Sequence, residues 1–258
     1  MTFYKYHGTG NDFILFDNRD GKISFTKEQV EHLCHRRFGI GADGLMLLES
    51  AAGYDFKMVY YNSDGRESSM CGNGGRCITA FAKQLGVIDA AANFVATDGP
   101  HTATINSDGT INLQMKDVAD IDINNGYTIL NTGSPHYVLW VPDIRTADVF
   151  ITGRSIRNQM PFHPDGINVN FVQREEDKLL VRTYERGVED ETFSCGTGVT
   201  ACAIAATGRE TGSFVTSIET RGGNLKVSFT KDTPTSAKNV TLIGPTAFVY
   251  KGEVELQL

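Results

Sequence analysis

The sequence has no apolar run near the roughly 20 residues that a membrane-spanning helix needs; its longest, such as Leu45–Leu48, stop after a few positions. Met1-Thr2-Phe3-Tyr4-Lys5 does not open a basic and then apolar leader pattern. The expectation is a cytoplasmic protein with no membrane partner. Basic blocks are missing as well: 24 Lys and Arg against 31 Asp and Glu leave a net charge of −7, which argues against nucleic acid as a partner. Cysteine is scarce and odd in number, with five (34, 71, 77, 195 and 202) in 258 residues. That excludes a disulfide framework and leaves reduced thiols. Metal-ligand spacing is wanting too. His32-x-Cys34-His35 has no third partner, and neither Cys71 with Cys77 nor Cys195 with Cys202 has close zinc-pair spacing. No metal is expected.

Cofactor motifs fare no better. Gly39-x-Gly41-x-x-Gly44 has the letters of a dinucleotide fingerprint, but a helix pattern precedes it and a strand pattern follows, the reverse of what the fingerprint requires. Gly196-x-Gly198-x-x-Ala201 does open a helix pattern, yet it is duplicated at Gly72 and a long polar loop separates it from its strand. No lysine is singled out for a Schiff base. The reading is therefore of a protein that works without a cofactor.

With 40% hydrophobic residues the chain can bury a sizeable core, as two modest domains or one large one. Alternating patterns predict strands at 13–17, 45–49, 54–61, 94–97 and 102–106, with helices at about 26–38 and 74–86; Thr26 and Gln29 have capping-box spacing. The second half repeats this grammar, with strands near 137–141, 168–173, 179–185, 214–220, 225–229 and 240–243 and a helix near 198–210.

The repetition extends to individual residues. Gly10 meets Gly133, Tyr61 meets Tyr184, and Thr97 and Gly99 meet Thr220 and Gly222, all 123 residues on. Around one turn the offset becomes 124: Glu67-x-x-x-Cys71-Gly72-Asn73-Gly74 meets Glu191-x-x-x-Cys195-Gly196-Thr197-Gly198. The predicted fold is α+β, with two similar domains about a pseudo-twofold axis, residues 1–113 with 246–258 and residues 114–245. Each would contribute one Cys-Gly-x-Gly turn to a cleft between them.

Each of these turns leads into a helix pattern, so Cys71 and Cys195 fall at helix N-termini. Free N–H groups and the positive end of the helix dipole favour a thiolate there. The glycines leave those N–H groups open to a ligand carboxylate. Cys34, Cys77 and Cys202 lie within helix patterns and read as inert core. A thiolate and a thiol related by symmetry can remove a proton from one face of a carbon and return one to the other. Backbone donors about a carboxylate can stabilise the carbanion between those steps. Where the two halves diverge, recognition is expected: Asn11 opposes Ser134, Phe13 opposes His136, and Asn62 opposes Glu185. Arg186 suits a bidentate carboxylate contact, and Glu185 suits an ammonium group or sets the charge near Cys195.

At these motifs the sequence resembles the diaminopimelate epimerases, which work without pyridoxal phosphate. The resemblance runs nearly end to end, through Lys5–Phe13, Tyr61–Gly65, Cys71–Arg76, Glu185–Gly187 and Cys195–Gly198. It implies two α+β domains, each a curled mixed sheet around a central helix. The reaction it implies is interconversion of LL- and meso-diaminopimelate, which serves lysine synthesis and peptidoglycan precursors. Cys71 and Cys195 then correspond to the proton acceptor and donor. Asn11, Asn62, Asn168, Glu185 and Arg186 correspond to substrate-binding side chains, and Gly72, Asn73, Gly196 and Thr197 supply backbone groups for the α-carboxylate. His136 with Glu185 corresponds to the pair thought to tune the thiols. Ser134 stands where many members carry asparagine, and the loop from Glu185 to Cys195 is one residue longer than the common form. The small molecule is the expected partner, and a homodimer is left open. A two-cysteine racemase of proline is the nearest alternative, and a binding or redox protein without turnover is the alternative from another class.

Overall fold

The computed structural model describes residues 1–255. The chain separates into two compact units, Met1–Leu113 with the described residues from Pro245 on, and Gln114–Gly244.

In the first unit the sheet runs through β1 (Thr2–Gly8), β2 (Asn11–Asp17), β3 (Gly44–Glu49), β4 (Phe56–Asn62), β5 (Glu67–Ser68), β6 (Ala91–Ala96), β7 (Gly99–Ile105) and β8 (Ile111–Gln114), with β18 (Ala247–Glu253) along β1. β2 with β3 and β4 with β6 are parallel, and the other pairs are antiparallel. β2 and β3 are continuous apolar runs because both their faces are covered. Alternate residues explain how: Ile14, Phe16, Leu45 and Leu47 join Val30 and Leu33 of α1 (Lys27–Cys34) in one cluster. The opposite face meets α2 (Gly72–Gln84), which touches β1, β2, β3 and β7, so strands from both ends of the sheet order wrap one helix.

The second unit has strands β9 (Ile121–Ile123), β10 (Tyr127–Asn131), β11 (Pro135–Trp140), β12 (Asn168–Glu175), β13 (Lys178–Glu185), β14 (Asp190–Thr192), β15 (Gly212–Thr220), β16 (Gly223–Lys231) and β17 (Lys238–Gly244). Its parallel pairs are β11 with β12 and β13 with β15, the remainder being antiparallel. Strand for strand, this is the pairing pattern of the first unit. α4 (Gly196–Ala205) is apolar or small around its circumference and is buried against strands from β10 to β17. On β12, Val169 and Phe171 join Val149 and Ile156 of α3 (Val149–Arg157). The period of two therefore puts Asn168 and Asn170 together on the α4 side, both buried.

The elements differ from expectation at several ends. The capping box at Thr26 and Gln29 is present in both directions, but α1 stops at Cys34 rather than near 38. His35 is extended, and the chain folds back so that Ile40 and Gly41 N–H reach Leu33 O. A Cβ on Gly39 would lie 1.9 Å from His32 O, so this return needs glycine. α2 starts two residues earlier than expected, and α4 covers 196–205 rather than 198–210. β1, β5, β8, β9, β10, β14, β18 and α3 have no counterpart in the sequence reading. α3 carries β-branched residues and Gly153, a weak helix pattern. A Cβ on Gly153 would meet Tyr184 Cβ at 2.5 Å, so packing on β13 makes the glycine necessary.

Candidate active site

Cys71 is the N-cap of α2: its backbone is extended and Gly74 N–H donates to its Sγ at 3.2 Å. A donated N–H at the positive end of a helix favours the thiolate over the thiol. A Cβ on Gly74 would stand 3.0 Å from that sulfur and 3.3 Å from Met58 Cε, so the glycine keeps room at the sulfur. The turn preceding β2 is held against α2 by side-chain amides. Asn11 Nδ2 donates to Asp43 Oδ2 at 2.7 Å, and its Oδ1 accepts from Asn73 Nδ2 at 3.3 Å. Asp43 in turn accepts from Arg36 at 2.6 Å, and its backbone carbonyl accepts from Ser63 N–H at 3.1 Å, beside Asn62. Asn11, Asn73 and the Cys71 turn are thus one connected piece, while Asn62 stands exposed as the last residue of β4.

Asp12, next to Asn11, belongs to the same piece. Burial would raise its pKa, but hydrogen bonds from Arg36 and Lys5 outweigh this and hold it at about 2. Lys5 is buried and also donates to Gly41 O. Behind α2, Arg76 is fully buried; its Nη1 donates to Gly72 O at 3.1 Å and its Nη2 to Asn73 Oδ1 at 3.0 Å.

Cys195 is the N-cap of α4, extended and buried, with no side-chain bond to the helix N–H groups. Its Sγ lies 3.5 Å from Thr197 Oγ1, and the Thr197 carbonyl accepts from the Thr132 hydroxyl at 2.8 Å. Ser134 gathers the polar side chains: Asn168 Nδ2 donates to its Oγ at 2.8 Å and Arg186 Nη2 at 3.3 Å. Asn168 Oδ1 accepts from Arg186 N–H at 2.9 Å, which fixes where that side chain leaves the backbone. Glu185 accepts from the Thr192 hydroxyl at 3.0 Å.

The tautomer of His136 follows from its neighbours. Asn170 Nδ2 donates to the Tyr137 carbonyl at 3.2 Å, which identifies it as the nitrogen of the amide. Its other hydrogen faces His136 Nδ1 at 3.1 Å, and Asn170 Oδ1 accepts from the Thr183 hydroxyl at 2.9 Å. Nδ1 of His136 is therefore the acceptor, and Nε2 carries the hydrogen. Burial, with the Arg186 charge adding to it, presses the His136 pKa down to about 3 despite the Asn170 bond. His136 is a neutral ring whose Nε2–H has no hydrogen-bond partner among the described residues. A Cβ on Gly198 would lie 2.5 Å from Asn170 Oδ1 and 3.4 Å from Cys195 Sγ, so this network abuts the second turn.

Burial pushes the Cys34 thiol up to about 12 and the Cys77 and Cys202 thiols strongly upward, so these three remain protonated. Asp43, Arg76, Thr132 and Asn170 escape a sequence reading. Arg76 alone had a visible signal, since it lies inside the first repeat turn opposite Thr200.

The chain matches the family model described as diaminopimelate epimerase over residues 3–120 and 128–249. It is 51% identical to a diaminopimelate epimerase of Flavobacterium psychrophilum over 257 residues, 97% of this chain and 99% of that one. It is 39% identical to that of Chlorobaculum tepidum, over 96% of this chain and 99% of the relative. Among solved structures, a phenazine biosynthesis protein of the PhzF family from Bacillus anthracis shares the fold with a TM-score of 0.75 at 15% identity, over 99% of both chains. A hydroxyproline epimerase from Agrobacterium vitis shares it with a TM-score of 0.72 at 15% identity, over 98% of this chain and 91% of that one. With the family model covering nearly the whole length and relatives matching end to end, the chain belongs to the diaminopimelate epimerase family.

Proposed function

We propose that this protein interconverts LL- and meso-diaminopimelate without pyridoxal phosphate, with Cys71 and Cys195 as the acceptor and donor of the α-proton. The observation that carries this reading is the matched pair of N-cap cysteines, each opening a glycine-lined helix N-terminus in units of identical strand pairing. One cysteine enters the reaction as thiolate and removes the α-proton; the other, as thiol, delivers a proton to the opposite face. N–H groups at Gly72, Asn73, Gly196 and Thr197 hold the α-carboxylate, where negative charge builds in the transition state. Asn11 and Asn62 from the first unit, and Asn168, Glu185 and Arg186 from the second, recognise the polar groups of the diamino acid. His136, neutral with a hydrogen on Nε2, acts with Glu185 as a tuner of the thiols rather than as a second base.

The five free thiols are in keeping with a cytoplasmic reaction, and no helix among the described residues is long and apolar enough to cross a membrane. A second copy of the chain completes the reading: β18 leaves Phe248, Val249 and Tyr250 exposed, a surface suited to self-association.

The test is conversion of LL-diaminopimelate in heavy water. Wild type incorporates deuterium at one α-carbon, and Cys71→Ser and Cys195→Ser each lose full epimerisation, because a serine hydroxyl is too weakly acidic to serve as a thiolate does. Near-normal turnover in either variant removes the two-thiol mechanism, and absence of conversion by wild type removes the substrate.

A further inference from the structure

Among the described residues Arg76 is a buried cation without a carboxylate partner. It is fully buried in the first turns of α2, and its guanidinium donates, among the described residues, to neutral oxygens: Gly72 O, Asn73 Oδ1 and, at 3.4 Å, Thr9 Oγ1. Its Nε has no hydrogen-bond partner among the described residues. A buried charge left unpaired is strongly destabilising, so a folded protein that keeps one must answer it with a negative charge at some stage of its work.

The groups around the Cys71 turn that can carry charge are quickly assigned. Asp12 and Asp43 are engaged by Lys5 and Arg36. Asp98 accepts from Met70 N–H and pairs with His101 at 3.2 Å, and Glu67 accepts from Thr97. Tyr6 on β1 is held protonated by burial, and Cys77, the neighbour of Arg76, is pushed strongly upward by the same cause. Among the groups of the protein itself, in the absence of a bound carboxylate, the geometry leaves the thiol of Cys71, which caps the helix turn whose Gly72 carbonyl Arg76 grips.

The internal repeat supplies the comparison. The counterpart of Arg76 in the second unit is Thr200, also fully buried, whose hydroxyl donates to Gly196 O at 2.8 Å. Both residues satisfy the same carbonyl of the same turn, so the hydrogen bond needs no cation. Arginine differs from threonine there by its charge. Burial lowers the Arg76 pKa to about 10, which leaves the guanidinium charged at neutral pH.

We propose that Arg76 is a positioning residue that supplies the countercharge of a Cys71 thiolate, and that this makes Cys71 rather than Cys195 the thiolate of the substrate-free protein. The inference takes the two cysteines from the proposed function, but its test uses no turnover, so failure of one is distinguishable from failure of the other. In addition, Arg76 fixes the Asn73 amide by bonding its Oδ1, which turns Nδ2 toward Asn11.

The experiment is alkylation of the full chain with iodoacetamide across pH 5–10, with the modification of Cys71 and Cys195 followed separately by peptide mass spectrometry. In wild type the reactivity midpoint of Cys71 should lie below that of Cys195 and below the ordinary thiol value of about 8.5. Arg76→Met should raise the Cys71 midpoint by about 1 unit or more, the effect of losing a nearby opposite charge, while Cys195 keeps its own. Arg76→Lys, which retains the charge, should restore most of the difference; a merely structural role would not follow charge. Arg76→Gln carries the same measurement if the methionine variant does not fold. An unmoved Cys71 midpoint in a folded neutral variant overturns the proposal. So does a wild-type Cys71 midpoint at or above about 8.5, which needs no variant at all.

Discussion

His136 and Arg186 show how single residues acquire their properties from what surrounds them. A histidine held near pKa 3 in the fold and near 6.5 in the unfolded chain is neutral in both states above pH 6.5 and contributes no pH dependence there. As pH falls below that value the unfolded chain takes up a proton that the folded protein refuses, so stability declines until the pH reaches about 3. At pH 5 the loss is about 2 kcal/mol. His136→Asn should therefore narrow its Tm deficit against wild type between pH 7 and pH 5, and a constant difference would contradict the neutral ring. Arg186 is a different case, because its backbone is pinned by Asn168 while, among the described residues, its guanidinium reaches Ser134 Oγ and the Asp165 carbonyl. Truncating a buried charged contact costs about 2–5 kcal/mol. Arg186→Ala should accordingly lower kcat/KM for diaminopimelate about 30-fold or more. Wild type and variant should be equally poor on lysine, which lacks the distal carboxylate; unchanged diaminopimelate kinetics in Arg186→Ala would remove that residue from recognition.

At the scale of elements, the two helix N-termini place conflicting demands on glycine. Replacing a glycine by alanine within an exposed helix ordinarily stabilises it by about 1 kcal/mol. Gly198 should reverse that sign, because its Cβ would fall 2.5 Å from Asn170 Oδ1 and break the amide network behind His136. Gly198→Ala is expected to lower Tm and turnover together. Gly74→Ala meets the Cys71 sulfur at 3.0 Å and should lose turnover with a smaller change in Tm. Paired melting and kinetic measurements check both, and a stabilised, fully active Gly198→Ala would show that the turn tolerates a side chain. Away from the site, the Thr26 cap of α1 separates stability from function: Thr26→Ala should cost about 1 kcal/mol and leave kinetics unchanged.

For the whole molecule, the identity of strand pairing in the two units shows that one architecture carries two sets of side chains. Chemistry at a single carbon suits that duplication, and the proposed roles need it broken where the two units differ, at Arg76 against Thr200 and at His136 against Phe13. The exposed Phe248, Val249 and Tyr250 of β18 belong to this scale too. Association through that strand should give a dimer in sedimentation at micromolar concentration, and Val249→Lys should shift it toward the monomer. A wild type that sediments as a monomer would set the homodimer aside.

The sequence by itself determined the catalytic candidates and the duplicated plan, because a Cys-Gly-x-Gly turn before a helix pattern is a local signal and its recurrence needs no coordinates. β2 and β3 were legible from their alternating apolar patterns, and α1 was legible at its capped start. What only the tertiary structure decided depends on groups distant in the chain. α3 forms on a weak pattern because Gly153 lets it sit on Tyr184, and α1 ends early because the chain turns back over it. Asp43 reaches Asn11 from 32 residues away, and Asn170 sets the His136 tautomer from 34. Arg76 was in view throughout, but an arginine in a sequence carries a solvated charge by default. Its meaning changed only when folding removed water and left it without a carboxylate, since the cost of a charge is set by its surroundings.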